Sequence, residues 1–192
     1  WIADDNEIVH YFPEHYLLPG LIDTHVHLVL PGDGTPAHEF ISGKSDSDLL
    51  QSACQNAEKA LIAGVTTLRD VGSRGWVLFE LRDAIARGQI AGPRLLLSGP
   101  PITPTAGHCH YFGGEADGAD AIRAKIRELL DHGVDLIKVM GSGGGTPGTY
   151  FWQPTYSRLE MQAAVEEVRW RNSAITVHAT CVNAIETAVE AG

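Results

Sequence analysis

The residues best equipped for chemistry sit in a few short stretches. In "LLPGLIDTHVHLVLPGDG", residues 17–34, His25 and His27 stand two apart at the end of an apolar run. Side chains of a strand alternate between its faces, so both imidazoles project to one side, with Asp23 a further step down. Neutral imidazole is the commonest protein metal ligand, and such a pair can hold one divalent ion. The pair equally suits a solvated strand end, and the spacing alone does not choose.

Lys138, in "VDLIKVMGSGGG", lies among Leu136, Ile137, Val139 and Met140. A buried ammonium is expensive. The side chain can snorkel outward or meet a carboxylate. Alternatively burial depresses its pKa, and the neutral amine adds carbon dioxide to become an anionic carbamate able to bridge two cations. His178 ends the run "AITVHATC". A satisfied core histidine is the ordinary reading of any one of these. Ligand-type residues at the ends of three separate strands are harder to explain so, because catalytic groups of a parallel barrel gather on its C-terminal rim.

These side chains need a frame, and hydrophobic periodicity supplies one. Strands are expected at 20–28, 65–71, 94–98, 134–140 and 174–179, and helices at 47–63, 74–87, 118–132 and 157–171, with another starting near 183. The first helix aligns Leu50, Ala53, Cys54, Ala57, Ala60 and Leu61 on one stripe and stops at Gly64. Ser157 and Glu160 form a capping box ahead of the fourth. The alternation is that of βαβ units and a parallel sheet. No G-x-G-x-x-G turn follows the first strand, which ends in histidines instead, so the expected fold is α/β, a partial (β/α)8 TIM-type barrel. Eight units typically need about 250 residues, and about five can be counted here. The chain is therefore read as incomplete, with 20–192 forming the N-terminal part of the barrel.

Composition narrows the partners. The 192 residues are 44% apolar and 20% charged, as in an ordinary globular protein. A formal charge of −10 with no basic run argues against nucleic acid and anionic membrane, leaving a small-molecule ligand. Cys54, Cys109 and Cys181 are odd in number and lack CxxC spacing, which disfavours disulfides and thiolate zinc sites and fits a reducing compartment. No apolar stretch approaches the roughly 20 residues of a membrane span, and no signal peptide is visible. The expected address is cytoplasmic, although a chain opening with Trp1 leaves a lost leader open, and homo-oligomer formation is a separate expectation.

Taken in order, "PGLIDTHVHL", "AGVTTLRDVG", "GPRLLLSG", "HGVDLIKVMGSGGGTPG" and "ITVHAT" resemble the amidohydrolase superfamily of metal-dependent hydrolases, from about Leu17 onward. Within it, the chain is similar to the imidazolonepropionase-related branch, which includes Xaa-Pro dipeptidase-like and arginine carboxypeptidase-like enzymes. The resemblance implies a small β-sandwich beside the barrel, to which 1–19 would contribute the end of an N-terminal segment. It also implies two divalent metal ions, zinc being the best match to the ligands. His25 and His27 match the pair on the more buried metal, Lys138 the carboxylated bridging lysine, and His178 the fifth-strand ligand of the second metal. The family's histidine after strand six and aspartate after strand eight have no counterpart here. That aspartate is the general base, so no catalytic residue is assigned and efficient turnover is not expected of this segment by itself.

The segment "PPITPTAGHCHYFGGEADG" puts His108, Cys109 and His110 on the rim, with His108 and His110 as substrate contacts or parts of a capping loop. The family often has Gly-Gly-His-x-His there, whereas this chain has Ala106-Gly107. "GSGGGTPGTY" lacks the ending of a P-loop and reads as a mobile active-site loop, with Tyr150 a further candidate for substrate contact. Asp70 is read as a structural hydrogen-bonding residue, and His10, His15, His38 and His132 as surface residues. The expected activity of the parent protein is hydrolysis of a C–N bond in an amide or dipeptide by a metal-held hydroxide. The alternatives are hydrolysis of a cyclic amide, as in imidazolonepropionase, or a non-catalytic metal-binding fragment.

Overall fold

The computed structural model describes residues 10–192. Strands and helices alternate in the order β1 (Leu21–Val26), α1 (Ala37–Ser42), α2 (Asp46–Ile62), β2 (Val65–Asp70), α3 (Val77–Ala86), β3 (Arg94–Leu97), α4 (Ala119–Asp131), β4 (Leu136–Met140), α5 (Arg158–Trp170), β5 (Ala174–His178) and α6 (Val182–Ala191). Every strand pairing is parallel. β1, β2 and β3 form one set, with Val26 opposite Asp70 and Asp70 opposite Leu97. β4 and β5 form the other, with Met140 opposite His178. The two sets meet through hydrogen bonds: Asp135 donates to Leu97 O at 2.8 Å, while Ile102 N donates to Lys138 O and Ile102 O accepts from Met140 N, both at 2.8 Å. Among the described residues the strands thus make two parallel sheets, continued into one arc by these bonds and the isolated parallel bridge between Ile102 and Val139.

The helices cover one face of this arc because their apolar stripes are cut to the 3.6-residue period. α2 buries Leu49, Ala53 and Ala57 against Leu68 of β2 and Leu78 and Leu81 of α3. α4 and α5 close over Ile137 and Val139 with Ile122, Ile126, Leu129, Met161 and Val168. Ile137 and Val139 thus face the helices, and alternation sends Lys138 to the opposite face. That face is covered too, since all five residues of β4 are buried.

Capping decides where two helices begin. Ser157 Oγ accepts from Glu160 N while Glu160 accepts from Ser157 N at 2.8 Å, the box read from sequence. Ser45 and Asp48 build the same device at α2, with the shorter carboxylate in the returning role. α1 was not foreseen, because six residues with only Ile41 buried are too few to carry a period. His38, read as a surface residue, consequently sits on this helix. Residues 10–20 hold neither helix nor strand, and the rest of the expected sandwich segment, 1–9, lies outside the described residues. Apolar side chains are exposed at both ends of the arc, Leu21 and Ile22 on β1 and Val182 and Val189 on α6. Among the described residues, no helix is long and apolar enough to cross a membrane.

Candidate functional site

β1 ends at Val26, one residue before His27, so the two histidines are not successive rungs of one regular strand. Their rings nevertheless come together edge to face, centroids 5.5 Å apart. His27 is held on three sides. Its Nδ1 lies 2.9 Å from the carbonyl oxygen of Gly72, and its ring stacks on Phe112 at 6.1 Å. Gly72 eases that approach, since a Cβ there would stand a tight 3.1 Å from the ring. A carbonyl can only accept, so Nδ1 carries the proton and Nε2 is bare, the form in which imidazole ligates metals. His178 is set the opposite way, its Nε2 lying 3.2 Å from Gly143 O, which leaves Nδ1 bare.

Lys138 is 2% exposed, and among the described residues no carboxylate stands close enough to pair with it. Burial pulls its pKa down to about 8, with Arg69 adding to the effect and Cys109 opposing it. The histidines respond to the same surroundings. Burial lowers the pKa of His25, His27 and His178, and the positive charge of Lys138 lowers all three further. Neutral imidazoles and an unpaired amine therefore face one another across the concave side of β1, β4 and β5.

His108 joins this group. Its ring is 4.8 Å from that of His178, and burial, followed by His178, His27 and Lys138, pushes its pKa down to about 4. Thr146 holds it from behind, with Oγ1 2.8 Å from Nδ1, and accepts the Cys109 N–H at 3.0 Å with the same oxygen. His110 is not brought in: its Nδ1 donates to Gly107 O at 2.9 Å, and its ring rests on Tyr111. Cys109 adopts a left-handed backbone, φ 62°, which turns the two neighbouring histidines in different directions. Tyr150 is half exposed and stacked on Trp152, away from the histidine rings.

The glycine-rich loop expected to be mobile is cross-braced. Gly143 N donates to Gln153 O, Gln153 N donates to Tyr150 O, and Thr149 Oγ1 bonds to Gly144 and Thr146. Two of its glycines serve packing: a Cβ on Gly143 would meet the Tyr150 backbone, and one on Gly144 would fall 2.5 Å from His108 Nε2. A cleft of about 320 Å³ opens beside this loop, lined by Thr105, Gly107, Gly143, Thr149 and Gln153 among others. A second hollow of about 520 Å³ opens near Asp46, Trp76 and Glu80, and neither hollow is lined by His25, His27, His108, Lys138 or His178.

Asp70 makes the structural hydrogen bonds to neighbouring turns that the sequence reading expects of it. It is 1% exposed, and its carboxylate accepts from Leu28 N at 2.7 Å and from Gly72 N at 3.0 Å. Burial raises its pKa to about 7 against the pull of those two N–H groups. Asn56 was missed altogether. Its Nδ2 donates to Leu28 O at 2.9 Å and Leu30 O at 2.8 Å, clamping the turn after β1. Its position beside the Ala53, Ala57 and Ala60 stripe was the available signal.

The donor set can be tested against a divalent cation. In chemical kind it fits: bare imidazole nitrogens and a buried amine with no counter-charge. In geometry it stops short of a closed cage, for no three His, Cys, Asp or Glu side chains among the described residues converge tightly enough to make one. His27 and His178 are each oriented by a backbone carbonyl, of Gly72 and of Gly143.

Comparison with known proteins agrees with this layout. Ochratoxinase of Aspergillus niger is 30% identical over 206 aligned positions, covering 92% of this chain and 42% of its own. A Xaa-Pro dipeptidase solved with methionine in its active site superposes with a TM-score of 0.79 at 27% identity, over 100% of this chain and 51% of its own. A prolidase complexed with N-methylphosphonate-L-proline gives 0.80 at 28% identity, over 91% and 46%. The chain thus spans about half the length of these proteins or less. The model of the Amidohydrolase family matches residues 16–192, and the chain belongs to that family.

Proposed function

We propose that this chain carries the metal-binding half of a hydrolase that cleaves C–N bonds in amides or dipeptides. The observation that carries the reading is Lys138, an amine buried without a carboxylate and ringed by His25, His27, His108 and His178. A structural lysine would be paired or would reach water. As a carbamate it would become the negative charge that lets two cations sit close together.

His25 and His27 would hold one ion, His178 the other, and carboxylated Lys138 would bridge them. Zinc suits these ligands best. Bound there, the ions would supply a water acidic enough to attack at neutral pH and would polarise the substrate carbonyl. The chain's own contribution is to keep the imidazoles neutral by burial and to fix their tautomers through Gly72 and Gly143. His108, half-buried and held neutral, would contact substrate. His110 and Tyr150, turned elsewhere, would need to move to do so. The cleft beside the glycine-rich loop offers hydroxyl and backbone groups to a neutral polar substrate such as a peptide unit. Further parallel strands would pair with the open edges of β1 and β5 and bring the proton-transferring base.

The test is made on a longer form of the protein prepared with zinc and bicarbonate. Dipeptides, N-acyl amino acids and a cyclic amide serve as substrates, and intact mass is recorded under native conditions. Zinc uptake, an added ~44 Da for one carboxylate on the lysine, and turnover of the open-chain amides support the reading. Preference for the cyclic amide moves the assignment to a ring hydrolase, and absence of zinc uptake removes the metal reading.

A further inference from the structure

The turn after β1 and the turn after β2 are tied by one side chain. Asp70 Oδ2 receives the N–H of Leu28, the residue next to His27, and Asp70 Oδ1 receives the N–H of Gly72, whose carbonyl takes the His27 Nδ1 proton. The carboxylate thus fixes both the backbone that bears the ring and the peptide that receives its proton. The other supports act at different points: Asn56 holds the carbonyls of Leu28 and Leu30, Val71 N donates to Val26 O at 3.0 Å, and Phe112 covers one ring face. None of these touches the Gly72 N–H.

We infer that Asp70 is the positioning residue for His27, locking the imidazole as its Nδ1–H tautomer with Nε2 bare on the opposite edge of the ring. The geometry stands without a metal, and only its purpose rests on the proposed function. A metal-ligating histidine needs its second nitrogen engaged, because a ring free to exchange tautomers presents a lone pair at the ligating position only part of the time. Loss of such outer partners typically weakens metal affinity by about 10–100-fold. Asp70 contacts neither metal nor substrate, so its effect passes entirely through Gly72 and His27.

The experiment uses metal-free protein with 15N-labelled histidine and reads ring tautomers by long-range 1H–15N correlation. Zinc affinity is then measured by competition with a chromophoric chelator. In the unmodified protein, His27 is expected to give one pyrrole-type and one pyridine-type nitrogen. In Asp70→Asn, which keeps the shape but surrenders one acceptor, the two signals should move toward each other and zinc affinity fall by about 10–100-fold. Glu167→Gln, which breaks an ion pair on the outer helices, controls for mere loss of stability and should alter neither reading. A folded Asp70→Asn that keeps the original His27 pattern overturns the inference. If that variant fails to fold, amide exchange in the unmodified protein decides: Leu28 and Gly72 protected together support it, and exchange at exposed-loop rates at either overturns it. A fixed His27 tautomer in protein that takes up no zinc refutes the metal reading alone and leaves the role of Asp70 standing.

Discussion

His108 and His178 stand ring to ring, centroids 4.8 Å apart and planes tilted by 47°, although one comes from the loop after β3 and the other from the end of β5. Gly144 makes room for that meeting, since a Cβ there would lie 2.5 Å from His108 Nε2. Gly144→Ala should swing His108 away while leaving His25, His27, Lys138 and His178 in place. Zinc content per chain is expected to stay constant, and kcat/KM of the longer enzyme form to fall by about 100-fold, the usual result of a ~1 Å misplacement. Unchanged kinetics would take His108 out of substrate contact.

Lys138 should trade stability for function. Methionine has a similar shape without the amine, so Lys138→Met removes an unpaired polar group from a site 2% exposed. The metal-free protein should gain about 1–3 kcal/mol, read from the urea midpoint at constant slope. Zinc binding should be lost at the same time. A variant less stable than the original would mean that the amine has a partner in the fold.

Glu167 gives a pH dependence of known sign. Arg127 grips its carboxylate with two 2.8 Å bonds, and that hydrogen bonding holds the Glu167 pKa below its ordinary value of 4.5 despite the opposing effect of burial. A carboxylate with a depressed folded pKa stabilises the fold above its unfolded pKa and loses that contribution as pH falls through the folded value. The stability gap between the unmodified protein and Glu167→Gln should be steady from neutrality to about pH 5 and shrink below 4.5. Urea titrations across that range check it, and a gap that widens in acid contradicts it.

Asn56→Ala should loosen the turn that carries His27. Two backbone carbonyls, of Leu28 and Leu30, lose their donor in a partly buried setting. The expected cost is about 1–3 kcal/mol, seen as a lower thermal midpoint. Hydrogen exchange should quicken at Leu30 N, which bonds to His27 O at 3.0 Å. No change at that amide would show that Leu30 is held by its other neighbours.

The sequence by itself determined the alternation of strands and helices, because period-2 and period-3.6 patterns are local. It determined the start of α5, because a capping box spans four residues. It also put His25, Lys138 and His178 on three parallel strands, although Lys138 proves to lie in the middle of β4 and Met140, not Lys138, is level with His178. Only the tertiary structure decided which of the rim residues meet. His108 turns inward and His110 outward because the backbone at Cys109 is left-handed, a conformation that the spacing H-C-H does not reveal. The glycine-rich loop is braced by hydrogen bonds to Gln153 and Thr149 that no periodicity announces. The link from Asp70 through Gly72 to His27 joins residues 45 apart in sequence, and its 2.7–3.0 Å bonds exist only once two separate strands have paired. Patterns read along the chain report which face a residue prefers. The orientation of a ring depends on which distant carbonyl reaches it, and that is settled by packing.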